Sequence, residues 1–180
     1  MPTYIALLRA VNLGGATQVS MTALRELLTR MGFDDVRSVL QSGNLVFRTE
    51  GASASELELR LESQVEETLK LHTDFFVRTE AEWRAIIAQN PFPREAERDP
   101  GHLLVTALKL APKVKEWKAL QAAIQGPERV NGLGRQAYIV YPDGTGRSKL
   151  TLRLIETKLG SRGTSRNWNT VNKLATLASG

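Results

Sequence analysis

The chain has 180 residues, 42% of them hydrophobic and 24% charged, with 24 Lys plus Arg against 19 Asp plus Glu and a formal net charge of +5. That length allows one domain or two small ones with a substantial core, and the modest positive surplus favours anionic partners. Cysteine is absent and only His72 and His102 supply imidazole, which excludes disulfides, thiol nucleophiles, thiolate metal sites and a histidine-rich metal centre.

Tyr4–Val11 reads as a strand apolar on both faces apart from Arg9, so both sides should be covered. The N-terminus shows neither a basic flank nor a signal-length apolar core, and no apolar run reaches the ~20 residues of a membrane span, so a cytoplasmic protein with no membrane partner is expected. Ser20 is placed as an N-cap, with Val19 and Leu24 as a hydrophobic staple and Met21, Leu24, Leu28 and Met31 as one helical stripe ended by Gly32. Val36–Leu40 and Leu45–Arg48 are short strand-like runs around a turn at Ser42-Gly43. Ser53 with Glu56 makes a capping box for a helix whose Leu57, Leu61, Val65 and Leu69 share a face. Asp74–Arg78 closes the first unit as a strand.

Thr79 with Glu82 opens a linking helix carrying Trp83, Ile86 and Ile87, ended at Asn90-Pro91-Phe92-Pro93 because proline cannot continue a helix. The charged segment up to Gly101 is the expected boundary. The pattern then restarts with a strand at His102–Leu110, a helix at Pro112–Ile124 and a stop at Gly126-Pro127. A hairpin around Gly132-Leu133-Gly134 follows, then a helix at Ser148–Leu159 and a brief strand at Gly163–Ser165. A last helix carries Trp168, Val171, Leu174 and Leu177 on one face. The three tryptophans, Trp83, Trp117 and Trp168, read as core packing.

The expected fold class is therefore α+β: two ferredoxin-like (βαββαβ) units with a linking helix and a C-terminal helix. The subdomains would span residues 1–78 and 101–180, with 79–100 as the link. In such a sandwich the loops sort to fixed ends, bringing distant polar segments together. One cluster comprises Asp143, Gly144, Gly146, Arg147, Ser148 and Lys149 with Arg166 and Asn167. Its glycines permit positive φ, a helix start would aim unpaired N–H groups outward, and its cations suit an anion. A second cluster comprises Arg9, Asn12, Gly14, Gly15, Gln41, Ser42 and Asn44. Arg9 in an apolar strand demands a carboxylate, carbonyls or an anion. Glycines that only turn and asparagines that only cap are the plain alternative for both. The spacing at 144–149 satisfies neither the Walker A nor the dinucleotide pattern. No carboxylate pair, Ser-His pair or metal cluster emerges, and no metal or cofactor is expected.

The runs Tyr4–Gly15, Leu40–Phe47, Asn90–Pro93, Tyr141–Leu150 and Arg166–Val171 together resemble the domain of unknown function 1697 family, with Ala10 where that family has a glycine after the first arginine. The resemblance implies a soluble, mostly bacterial protein of two ferredoxin-like halves and implies no activity. The residues favour a binding module for a phosphorylated or otherwise anionic small molecule or nucleotide. Nonspecific nucleic-acid binding, an enzyme acting by positioning through Tyr141, Asp143 or Ser148, and an interaction domain without ligand are the alternatives. Tyr4 and Phe47 are the aromatics offered for base stacking, without the RNA-recognition motif pattern.

Overall fold

The computed structural model describes residues 1–9, 20–39 and 43–180. They form a mixed α+β protein with two four-stranded antiparallel sheets and, among the described residues, seven α-helices. The chain divides into unit 1, Met1–Ala85 with Lys173–Gly180, and unit 2, Ile86–Asn172.

In unit 1, β1 (Thr3–Leu8) and β3 (Asn44–Arg48) are central, flanked by β2 (Asp34–Ser38) and β4 (Phe75–Thr79) in the order β2-β3-β1-β4. Helix α1 (Met21–Arg30) starts at the Ser20 cap, whose side chain accepts from the Ala23 amide at 3.0 Å. Helix α2 (Ala54–Leu69) starts at the Ser53–Glu56 capping box. Alternation along the strands sends Tyr4, Ala6, Leu8, Leu45, Phe47, Phe75 and Val77 into one core with Leu24, Leu28, Leu57 and Leu61. Ile5 and Leu7 on the other face are equally buried, as a run apolar on both sides requires.

In unit 2 the order β6-β7-β5-β8 repeats that plan, with β5 at Leu103–Leu108, β6 at Arg129–Leu133, β7 at Gln136–Val140 and β8 at Gly163–Asn167. Helices α5 (Val114–Ala123) and α6 (Leu152–Leu159) contribute Leu120, Ile155 and Leu159 to a core with Leu108, Ala137 and Ile139. Helix α3 (Glu80–Ala88) begins at Thr79 and Glu82, which cap each other's amides at 3.1 and 2.8 Å. Helix α7 (Trp168–Ser179) ends the chain. Several boundaries differ from expectation: β2 lies two residues earlier than Val36–Leu40, β5 is shorter than His102–Leu110, β8 runs on to Asn167, and three further differences have a local cause. Pro93 starts a short helix α4 (Pro93–Arg98) rather than a loop, because proline suits the first helical position. The second hairpin turns at Gly134-Arg135, one residue beyond the expected centre. Helix α6 begins after Thr151, not at Ser148, since the Thr151 hydroxyl takes the Leu154 amide.

The outer strands β4 and β8 are finished by side chains in matching ways. On β4 the amides of Phe75 and Val77 each donate at 2.9 Å, to the carboxylates of Glu62 and Glu58 from α2. On β8 the Gly163 amide donates to Glu156 of α6 at 2.9 Å. Glu58 also faces the buried Arg78 guanidinium at 3.6 Å. Removing one partner of a buried pair strands the other charge. Glu58→Ala should therefore cost about 3 kcal/mol of unfolding free energy. Glu62→Ala, on a half-buried group, should cost about 1.5 kcal/mol, both read from urea denaturation midpoints.

Candidate functional site

The loop that follows β7 is pinned at both ends and stands proud between them. The Tyr141 amide donates to the His102 carbonyl at 2.8 Å, and the Tyr141 hydroxyl, buried, donates to the Leu150 carbonyl at 2.9 Å. Between those anchors Gly144 N–H closes a turn onto the Tyr141 carbonyl at 3.0 Å, with Gly144 at φ +80°, a conformation that a side chain would strain. A second turn joins the Ser148 amide to the Thr145 carbonyl at 3.3 Å. The Ser148 hydroxyl donates to Glu128 and accepts from the Leu150 amide. Asp143, Thr145, Gly146, Arg147 and Lys149 are exposed.

Between this loop and Gln125–Glu128 lies a hollow of about 670 Å³, lined on the loop side by Asp143, Gly144, Arg147, Ser148 and Lys149. Arg147 and Lys149 make no ion pair with any described residue. The amides of Thr145, Gly146 and Arg147 likewise have no acceptor among the described residues. The wall also carries carboxylates, at Asp143 and Glu128. Burial, with Glu128 adding to it, pushes the Tyr141 phenol up to about 12.

Arg166 and Asn167 do not line this hollow. Arg166 lies opposite Val105 in the β5–β8 register, and its guanidinium turns back along its own strand to the Thr164 hydroxyl at 2.8 Å and the Ser165 carbonyl at 2.9 Å. Arg78 holds the same position in unit 1, opposite Ile5, and donates to the Val77 carbonyl at 3.0 Å. The shared geometry makes Arg166 part of the strand's finish, and burial pulls its pKa down to about 10. Asn167 accepts from the Thr170 amide at 3.0 Å and so caps α7.

Of the other cluster, Asn12, Gly14, Gly15, Gln41 and Ser42 lie outside the described residues, as does Val19 of the expected staple. Arg9 has a carboxylate partner, Asp74, at 3.7 Å. Asn44 is fully buried and bonds the Val39 carbonyl at 3.1 Å. Tyr4 and Phe47 are buried in the core, which leaves no stacking platform for bases there.

Sequence reasoning missed Glu128, hidden in what reads as a helix stop, and the pair Asp99–His102. The His102 Nδ1 lies 2.8 Å from an Asp99 carboxylate oxygen, and its Nε2 is 3.6 Å from where a side chain at Gly144 would begin. The spacing Asp99-Pro100-Gly101-His102 was the available signal. Among the described residues no group of three His, Cys, Asp or Glu could hold a metal ion, and no helix is long and apolar enough to cross a membrane.

A family model described as protein of unknown function (DUF1697) matches residues 1–138. The chain belongs to that family. Among solved structures, that of the conserved bacterial protein SP0830 from Streptococcus pneumoniae superposes with a TM-score of 0.76, at 23% identity over 98% of each chain. At that identity the likeness establishes the fold alone. No curated protein matches. The family match ends at Tyr138, so the loop from Tyr141 onward lies beyond it.

The buried phenols give a direct check on the loop's anchoring. Tyr138, its hydroxyl on the Ile86 carbonyl, is also raised by burial to about 12. A folded pKa above the unfolded value near 10 means that this stabilisation is complete below pH 10 and disappears as pH rises through 12. Absorbance at 295 nm should show phenolate from these two tyrosines appearing near pH 12 together with unfolding, and Tyr141→Phe should remove one tyrosine's share of that step.

Proposed function

We propose that the protein binds a phosphorylated or otherwise anionic small molecule in the hollow beneath the 141–150 loop. The observation that carries this reading is the pairing of Arg147 and Lys149, both without carboxylate partners among the described residues, beside turn amides that also have no acceptor. Such groups suit phosphate oxygens. Glu128 and Asp143 in the same wall favour a ligand that carries hydroxyl or amine donors beside its anionic group, as a sugar phosphate or a nucleotide does. Each unit is read as a ferredoxin-like sandwich, supported by the repeated strand order and by the helix after the first and third strand of each. The streptococcal relative supports a bacterial source.

Titration calorimetry against inorganic phosphate, a sugar phosphate, and a nucleoside mono- and diphosphate tests the reading. Arg147→Ala and Lys149→Ala should each weaken binding at least about tenfold, roughly 1.4 kcal/mol. Arg166→Ala should leave affinity unchanged while lowering stability by about 1–3 kcal/mol. Absence of heat across the panel, or indifference to both loop substitutions, refutes the assignment.

A second reading, an enzyme working on the same ligand, is favoured by Asp99–His102. His102 does not itself line the hollow, but a carboxylate on Nδ1 orients the ring so that Nε2 faces Gly144, which does. His102→Gln would then abolish turnover of a bound ligand without weakening its binding.

A further inference from the structure

Two four-stranded sheets present four edges; among the described residues two are covered by side chains and a third is irregular. Carboxylates of Glu58 and Glu62 occupy the outward amides of β4. Glu156 and Arg166 do the same for an amide and a carbonyl of β8. Strand β2 is irregular, with a register shift between Asp34 and Arg37 and Asp35 at φ +48°, a geometry that resists further pairing.

Strand β6 is different. Its two-residue turn at Gly134-Arg135 makes Leu133 and Gln136 a hydrogen-bonded pair, so the backbone groups of Val130 and Gly132 point away from β7. Gln121 of α5 takes the Val130 carbonyl, which agrees with that phase. Gly132 has no such cover: neither its amide nor its carbonyl has a side-chain partner among the described residues.

Beside this open edge, between α5 and β6, lies a hollow of about 630 Å³ whose apolar lining is Val114, Trp117 and Ala122. The Trp117 ring lies against Gly132 so closely that a Cβ there would stand 1.9 Å from the ring. Val114 is 71% exposed and Leu133 51%. The charge around it is predominantly positive. Lys113, Lys115 and Lys118 are exposed on α5 or at its start, and the helix's acidic residue, Glu116, is spent on the Lys113 amide. Arg129, at the far end of β6, is paired with Glu95 and lies over the Phe92 ring.

We infer that the β6 edge and the α5 hollow form a docking site for an extended, acidic segment of a partner protein. Its backbone pairs with Gly132, alternate apolar side chains enter the hollow beside Trp117, and its carboxylates meet Lys118, which lines the hollow, and the exposed Lys115 on the same helix. A second copy of this chain pairing edge to edge would bring the same lysines against each other, so charge complementarity selects an acidic partner. This inference is independent of the small-molecule site.

Fluorescence anisotropy with a labelled decapeptide alternating valine and glutamate tests it. Saturable binding is expected, at least about tenfold weaker for the valine–lysine counterpart and for the protein carrying Lys115→Glu with Lys118→Glu. N-methylation of alternate peptide amides should abolish binding, an effect that charge attraction alone would not produce. Both lysines are exposed, and circular dichroism establishes that the variant is folded. The proposal is overturned by absence of saturable binding, by equal affinity for the lysine peptide, by indifference to N-methylation or to the charge reversal, or by a sedimenting dimer that Leu133→Glu dissociates.

Discussion

The constraint on which the structure turns is that a sheet only four strands wide exposes a large share of its backbone hydrogen-bonding groups at its edges. In both units the outer strand that follows the second helix solves this with side chains from that helix. Glu58 and Glu62 stand one helical turn apart, and one turn of helix spans about the distance between alternate strand amides, so consecutive outward N–H groups of β4 meet consecutive carboxylates. The arginine at the matching position of each outer strand, Arg78 or Arg166, takes a carbonyl of its own strand. A hydrogen bond to a charged group contributes roughly 1.5–3 kcal/mol, so these contacts weigh as much as several buried methylenes.

This constraint also explains why one cation that looked like a ligand contact is a structural group. Arg147 and Arg166 carry the same chemistry, but one stands on an exposed turn and the other is enclosed along a strand with acceptors at 2.8 and 2.9 Å. Topology did bring the end of β8 and the end of β7 to the same end of the sheet, as their shared register with β5 shows. The side-chain direction within β8, a matter of period two, decided which residues could reach the hollow.

What the sequence discloses is what is encoded locally. The Ser20 cap and the Ser53–Glu56 and Thr79–Glu82 boxes were legible because each is complete within four residues. The order of strands and helices was legible because periodicity changes at each boundary. Where two signals competed, the reading erred. Ser148 and Thr151 are both hydroxyl residues ahead of an apolar stripe, and the contacts of Ser148 with Glu128 and the Leu150 amide separate them. Pro93 reads as a stop until its neighbours are seen to continue as a helix. Gly132 looks like part of a turn, yet it is a strand residue whose missing side chain makes room for an indole. None of these arises from neighbouring residues alone.

The loop after β7 holds its place through Tyr141 and the Ser148–Leu150 contacts, not through the residues that face solvent between them. The residues that anchor this segment are thus distinct from the residues it exposes. Thr145, Arg147 and Lys149 can therefore be exchanged for other chemistries while the framework of the loop stays intact, so the surface of this segment is free to vary independently of its backbone.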